Sequence, residues 1–138
     1  MYLVDTNVIS EIRKRSKANA GVRTFFANAE RDDSAVFLSV ITIGELRRGV
    51  DLIRHRGDTR QANLLEKWLV EMLRYYQDHV LDVDEDVAQL WGRLRVPHPE
   101  NVLDKLIAAT ALVHDLTVVT RNHRDFANTG IPVLNPFS

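Results

Sequence analysis

Short apolar runs alternate with longer stretches of helical spacing along this chain, and this alternation restricts the fold more than any other feature. The runs are rich in β-branched and aromatic residues, which is typical of strands. They lie at residues 2–4, 35–39, 80–81, 117–120 and 131–134. Strands separated by helices form βαβ units, so the sequence predicts an α/β protein with a mostly parallel sheet. The last run contains Pro132, which cannot donate to a strand ladder, and is expected at a sheet edge.

The helical stretches between the runs differ in how they are expected to pack. They cover residues 8–12, 43–53, 59–76, 84–94 and 103–113. Residues 103–113 are apolar on nearly every face, which predicts a buried helix. The stretches 43–53 and 59–76 each carry one apolar stripe and are separated by Arg56-Gly57-Asp58. Because this tripeptide favours a turn, we expect a helical hairpin that breaks there.

Composition and charge narrow the class of protein. The 138 residues, of which 45% are hydrophobic and 27% charged, predict one globular domain over residues 1–138. The absence of cysteine excludes disulfides and thiolate metal ligands. No signal-peptide pattern and no apolar run of about 20 residues occur, so we expect a cytoplasmic protein without a membrane span. A net charge of −1 argues against a simple basic clamp for nucleic acid.

Four acidic residues share a placement relative to the predicted strands. Asp5 ends the first strand, Glu45 lies early in the helix after the second, Asp104 begins the buried helix, and Asp125 follows the fourth strand. Segments beyond the carboxyl ends of parallel strands meet at one edge of the sheet, where ligands bind. Carboxylates gathered there repel one another unless a cation neutralises them or some stay protonated. Hard oxygen donors predict Mg²⁺ or Mn²⁺.

The same acidic residues have structural alternatives. The segment Thr42–Glu45 matches a capping box, in which a Thr N-cap is paired with a Glu three residues later, and Asn101–Asp104 is a near relative of it. Acidic side chains in a first turn also gain from the helix dipole. Asp5 is open to interpretation as a turn former, and Asp125 as a solvated loop residue. Only the joint placement of the four favours a metal site.

Other catalytic patterns are absent, and the basic residues are unevenly placed. The five histidines show no i, i+4 pair, which argues against a zinc-protease helix. Serine lacks a nucleophile-elbow context, and the glycines form no phosphate loop. Lys105, Arg121 and Arg124 are neighbours of Asp104 and Asp125 in sequence, so we expect them to contact a phosphate at the acidic edge.

Four segments, together with the end of the sequence, carry a family resemblance. They are Leu3–Ser10, Thr42–Gly49, Asp104–Ala111 and Val119–Phe126, followed by Val133–Phe137. Each motif is weak alone, whereas four in order across nearly the whole chain are specific. The sequence resembles PIN-domain proteins, and is most similar to the VapC/FitB group of toxin–antitoxin ribonucleases.

The resemblance implies a fold, an activity and partners. The fold would be a three-layer α/β/α sandwich around the parallel sheet. The activity would be that of a Mg²⁺- or Mn²⁺-dependent endoribonuclease toxin, in which one or two ions activate a water for in-line attack on an RNA phosphodiester. The partners would be a second copy of the chain and a cognate antitoxin, which silences the toxin and supplies DNA binding.

The resemblance also implies roles for particular residues. Asp5, Glu45 and Asp104 would be metal ligands. Some relatives place an Asp directly after the Thr-Arg pair, where this chain has Asn122. Either Asp125 or the Asn122 amide completes the set, and we favour Asp125. The hydroxyls of Thr6 and Thr120 would orient the ligands.

Asn122 also keeps a second hypothesis open. An incomplete acidic set would bind metal poorly, and the chain would then be a non-catalytic PIN-like binding subunit of a DNA-bound toxin–antitoxin repressor complex.

Overall fold

The computed structural model describes all 138 residues, which are built around a five-stranded sheet. The strands are β1 (Tyr2–Val4), β2 (Val36–Ser39), β3 (Val80–Leu81), β4 (Thr117–Val119) and β5 (Val133–Leu134). Their order is β3-β2-β1-β4-β5, and every pair is parallel. The sheet therefore confirms the predicted parallel architecture. β5 lies at an edge, as Pro132 led us to expect.

Six α-helices connect and flank the strands. They are α1 (Thr6–Ile12), α2 (Ala20–Arg31), α3 (Val40–His55), α4 (Thr59–Tyr75), α5 (Glu85–Leu94) and α6 (Val102–Val113), with 3₁₀ turns at Arg15–Lys17 and His123–Phe126. None of these helices combines the length and the apolarity that crossing a lipid bilayer requires.

Side-chain alternation along the strands divides the core into two faces. Val4 and Val119 point to one face, where they join buried residues of α1, α2, α3 and α4. Leu3 and Val118 point to the other, where they pack with α6 and the turn before β5. Successive strand residues face opposite sides of a sheet, so each short strand contributes to both cores. The three-layer α/β/α arrangement is thereby confirmed.

The predicted helical hairpin is formed by α3 and α4. The break falls at Arg56-Gly57-Asp58, where Gly57 adopts a positive φ of 91° and the Asp58 side chain accepts a hydrogen bond from the Gln61 backbone N–H. The helices bury apolar residues between them and the sheet, among them Leu46, Val50, Ala62, Leu69 and Met72. Across the hairpin, the Arg47 guanidinium donates two hydrogen bonds of 2.7 Å to the Glu66 carboxylate.

Helix α2 was not among the sequence predictions. Its buried face is Val22, Phe25 and Ala29, a spacing of three and four residues, and Asn19 caps it by accepting hydrogen bonds from the first-turn N–H groups. Phe26 is partly buried against the same core, and the remaining positions are small, polar or charged, which weakens the periodicity. The helix forms because tertiary packing supplies most of the stability of a short amphipathic helix.

Candidate metal centre

Asp5 occupies the carboxyl end of the central strand and is nearly fully buried. Its backbone is extended, with φ −76° and ψ 162°, so the chain ends β1 and begins α1 with Asp5 as the N-cap. The carboxylate Oδ1 accepts a hydrogen bond of 2.8 Å from the Thr6 backbone N–H. The Asp5 N–H donates to the carbonyl of Val119, which fixes this end of β1 against β4.

Thr120 lies immediately beyond β4 and holds the other oxygen of that carboxylate. The fully buried Thr120 hydroxyl donates to Asp5 Oδ2 at 2.8 Å. The same hydroxyl accepts hydrogen bonds from Asn7 Nδ2 at 3.2 Å and from the Asn122 backbone N–H at 3.0 Å. Asn7 Nδ2 also contacts Asp5 Oδ2 at 3.3 Å. Two strand ends are thus joined by a buried polar network around one carboxylate.

Glu45 reaches this network from α3. The Thr6 hydroxyl donates to Glu45 Oε1 at 3.0 Å, so Thr6 links Glu45 to Asp5 through its hydroxyl and its backbone N–H. The capping-box interpretation of Thr42–Glu45 is wrong: the N-cap of α3 is Ser39, whose hydroxyl accepts from the Ile41 N–H. Thr42 lies inside the helix, fully buried, with no hydrogen-bond partner for its hydroxyl.

Asp104 lies in the first turn of α6. Burial raises its pKa from 3.8 to about 6, and the negative charges of Asp5, Asp125 and Glu45 contribute. The related capping interpretation of Asn101–Asp104 also fails, because Asn101 adopts a left-handed backbone with φ 58° and its side chain makes no capping hydrogen bond. The helix dipole still favours an acidic residue at this turn.

The electrostatics of Asp5 have opposing causes. Burial raises its pKa and the nearby charge of Asp125 adds to this, while hydrogen bonds from Thr120, Thr6 and Asn7 act in the other direction. The hydrogen bonds hold the Asp5 carboxylate in place, whereas its burial beside other carboxylates costs free energy. A bound cation relieves that cost.

The donor set fits a hard divalent cation. Its members are carboxylate oxygens from four separate segments, and the charges of Asp5, Asp125 and Glu45 contribute to the raised pKa of Asp104. They are not arranged as three ligands around a single point. Carboxylates repel one another and are not expected to converge in the absence of a cation. The oxygen ligands that Mg²⁺ and Mn²⁺ prefer are therefore present at this edge of the sheet.

Asp125 and Asn122 differ in how they relate to this cluster. Asp125 lies on the turn His123–Phe126, and its charge raises the pKa of both Asp5 and Asp104. Asn122 contributes its backbone N–H to the Thr120 hydroxyl. The electrostatic coupling favours Asp125 over Asn122 as the fourth acidic member.

The three basic candidates have separate environments. Lys105 is buried and its ammonium donates to the backbone carbonyl of His98, so it is engaged in holding the loop before α6. Arg121 and Arg124 are exposed. The Arg121 backbone N–H donates to Asn7 Oδ1 at 3.0 Å, and its guanidinium carbon lies 3.9 Å from the centre of the Phe137 ring. Phosphate contact by Arg121 and Arg124 stays a prediction, whereas the ammonium of Lys105 is turned to the His98 carbonyl.

Sequence reasoning missed Asn7 as part of this site. Its side-chain N–H groups contact Asp5 and Thr120, and its carbonyl oxygen accepts from Arg121, so one amide connects the ends of β1 and β4. The only sequence feature that could have indicated its role is its position two residues after Asp5. The partner segment lies more than a hundred residues away, which local spacing does not reveal.

Comparisons with known proteins agree with this architecture. The family model described as PIN domain matches residues 2–132. Toxin FitB of Neisseria gonorrhoeae is 36% identical over 143 residues, covering 99% of each chain. VapC ribonuclease Y4jK of Sinorhizobium fredii is 30% identical over 142 residues, covering 99% of this chain and 98% of the relative.

A solved structure shows the same likeness in three dimensions. The crystal structure of FitAcB from Neisseria gonorrhoeae matches with a TM-score of 0.85 at 36% identity, covering 99% of this chain and 98% of that chain. The sequence match, the parallel sheet and the acidic edge agree with one another. The chain therefore belongs to the PIN-domain family.

Proposed function

We propose that this protein is a metal-dependent endoribonuclease and the toxin of a toxin–antitoxin pair. The observation that carries the proposal is the buried Asp5 carboxylate at the end of β1, which Thr120, Thr6 and Asn7 hold by hydrogen bonds and which Thr6 links to Glu45. The raised pKa of Asp104 supports it. Perturbed carboxylates gathered at a sheet edge are typical of functional sites. Relatives named Toxin FitB and VapC ribonuclease support the same activity.

The metal ligands would be Asp5, Glu45, Asp104 and Asp125. When bound there, Mg²⁺ or Mn²⁺ would supply Lewis-acid charge and make water a better nucleophile. Thr120 and Asn7 orient the Asp5 carboxylate, and Thr6 holds Glu45. These hydrogen bonds would preorganise Asp5 and Glu45 for a cation.

The substrate contacts would come from the exposed arginines. Arg121 follows Thr120 directly, and Arg124 precedes Asp125, so both begin beside the acidic cluster. Guanidinium groups bind phosphate through two parallel N–H donors. Arg121 and Arg124 would therefore bind the RNA backbone next to the carboxylates that would hold the ion.

The proposed partners follow from family membership. We propose a homodimer and a cognate antitoxin, acting in the cytoplasm. If this holds, co-purified antitoxin suppresses cleavage of RNA, and its removal by partial unfolding and refolding restores the activity.

The test is cleavage of a structured RNA such as tRNA by the purified protein, with Mg²⁺ or Mn²⁺ and with EDTA. We expect cleavage only with the divalent ion. Asp104→Asn and Asp5→Asn should abolish it, whereas Asp82→Asn, an exposed acid in the loop after β3, should cleave at the wild-type rate.

Metal binding separates this proposal from the non-catalytic alternative. Titration calorimetry should detect Mn²⁺ binding by the wild type and not by Asp104→Asn. A protein that neither binds Mn²⁺ nor cleaves RNA, yet assembles with a partner on DNA, would instead be the binding subunit of a repressor complex.

A further inference from the structure

The Arg121 guanidinium is stacked on an aromatic ring at the rim of the acidic cluster. Its central carbon lies 3.9 Å from the centre of the Phe137 ring. Stacking engages the face of the guanidinium and leaves its N–H donors, which lie in the plane, free to bind a phosphate. The backbone of Arg121 is fixed at the cluster, since its N–H donates to Asn7 Oδ1 and Asn7 contacts Asp5.

Acidic neighbours do not pair with this guanidinium. Glu11 is the nearby carboxylate, and its pKa is lowered first by a hydrogen bond from Lys14, then by the Asn19 N–H, and less strongly by the charge of Arg121. Its two oxygens accept from Lys14 Nζ and from Asn19 N at 2.9 Å each. The aromatic ring is therefore the direct contact that orients Arg121.

The segment that carries Phe137 is anchored to the start of α2. The Asn19 side chain accepts hydrogen bonds from the Ser138 N–H and hydroxyl and donates one to the Ser138 carbonyl. Phe137 is partly buried against the core face formed by the hairpin, α1 and α2. Three hydrogen bonds between the Asn19 amide and Ser138, together with packing against the core, hold the Phe137 ring in place.

Gly21 permits this anchoring. A Cβ at that position would lie 2.1 Å from the Pro136 carbonyl oxygen and 2.9 Å from the Ser138 backbone nitrogen. Both neighbours are backbone atoms, so any side chain at residue 21 displaces the segment 136–138. Glycine is otherwise unfavourable in a helix, and the close approach explains its presence.

We propose that Phe137 is a positioning residue for RNA binding, which holds Arg121 so that its donors meet a phosphate beside the acidic cluster. This proposal rests on the proposed nuclease function. Residues 135–138 would then affect substrate affinity, although they lie far from Asp5 in the sequence.

Steady-state kinetics on a labelled RNA test the proposal. Phe137→Leu keeps an apolar contact and removes the ring face, so KM should rise about two- to fivefold while kcat stays within twofold. Phe137→Tyr should restore the wild-type KM. In an Arg121→Ala background, Phe137→Leu should add nothing, because the group that it positions is absent.

A matched pair of glycine variants tests the anchoring independently. Gly21→Ala should raise KM as Phe137→Leu does, because it displaces the segment. Gly92→Ala is the control: Gly92 lies in α5 with nothing within 4 Å of an added Cβ, and it should leave KM unchanged. Circular dichroism melting identifies any variant that fails to fold.

Binding of fluorescein-labelled RNA in EDTA, measured by anisotropy, separates the two proposals. If the wild type cleaves RNA and Phe137→Leu has the same KM and the same RNA affinity, the positioning role of Phe137 is overturned. Wild type that neither binds nor cleaves RNA would overturn the nuclease function itself. Weakened binding by Phe137→Leu and Gly21→Ala, with normal binding by Phe137→Tyr and Gly92→Ala, supports the positioning role.

Discussion

A hydrogen bond of 2.8 Å joins the Thr120 hydroxyl to the Asp5 carboxylate, across 115 positions of sequence. It connects the ends of the two strands, β1 and β4, that pair at the centre of the sheet. The hydroxyl is fully buried and also accepts hydrogen bonds from Asn7 and Asn122, so its own orientation is fixed. The Asp5 carboxylate that it holds therefore has little freedom to rotate. The position of the carboxylate therefore depends on tertiary structure as well as on its own loop.

Thr120→Val should weaken both folding and metal binding. Valine preserves the shape but leaves Asp5 Oδ2 with one donor fewer, so we expect a loss of about 1–3 kcal/mol in the free energy of unfolding. Thr110→Val is the matched control, since the buried Thr110 hydroxyl contacts only the Leu106 carbonyl in its own helix. Urea unfolding measures stability, and Mn²⁺ calorimetry measures binding. Equal Mn²⁺ affinity in the two variants would show that Thr120 does not organise the site.

Asp104→Asn should change the pH dependence of stability. The pKa of Asp104 is raised from 3.8 to about 6, so between these values the folded protein binds more protons than the unfolded chain. Stability is therefore lost as pH rises through that window and stays lower above it. Allowing for partial exposure, Asp104→Asn should be about 1–2 kcal/mol more stable than wild type at pH 8 in EDTA.

Thermal or urea unfolding from pH 3.5 to pH 8 measures this effect. The difference between wild type and Asp104→Asn should shrink as pH falls from about 6 to about 4 and should vanish at lower pH, where the carboxyl is protonated in both states. Asp82→Asn supplies the comparison for a carboxylate that is exposed. A constant difference between wild type and Asp104→Asn at all pH values would contradict the raised pKa.

Mn²⁺ should stabilise the folded protein in a pH-dependent way. A ligand present at 100 times its Kd adds about 2.7 kcal/mol to the free energy of unfolding. We expect an increase in Tm at pH 7.5 that diminishes below pH of about 6, because protonation of Asp104 competes with the cation. EDTA should reverse the increase. Differential scanning fluorimetry measures it, and an increase that persists in Asp5→Asn would place the ion elsewhere.

Leu69→Ala should destabilise the hairpin strongly, because Leu69 is fully buried between α4 and the sheet. Large-to-small substitutions at such sites cost about 2–5 kcal/mol. The neighbouring Val70 is 46% exposed, and Val70→Ala should change stability by no more than about 0.5 kcal/mol. Urea titration of both variants provides the measurement, and similar midpoints for the two would contradict the packing described for α4.

Sequence periodicity identified the strands, the hairpin and the buried helix because each depends on local spacing. Gly57 and Asp58 mark the hairpin turn through their own conformational preferences. Of the stretch 103–113 that was predicted to be buried, residues 105–111 are buried, whereas Leu103 and Val113 near its ends are exposed. Helix α2 was not predicted from the sequence because its buried stripe, Val22, Phe25 and Ala29, is narrow. Its stability comes from the sheet against which it packs.

By itself, the sequence determined which residue types stand at the carboxyl ends of the strands, and with them the oxygen-rich chemistry of Asp5, Glu45 and Asp104. Only the tertiary structure decided what those residues contact. It replaced Thr42 with Ser39 as the cap of α3, directed Lys105 to a loop carbonyl, and placed Phe137 beneath Arg121. Local preferences depend on neighbours in sequence, whereas the orientation of a buried polar or cationic group depends on partners that folding brings together.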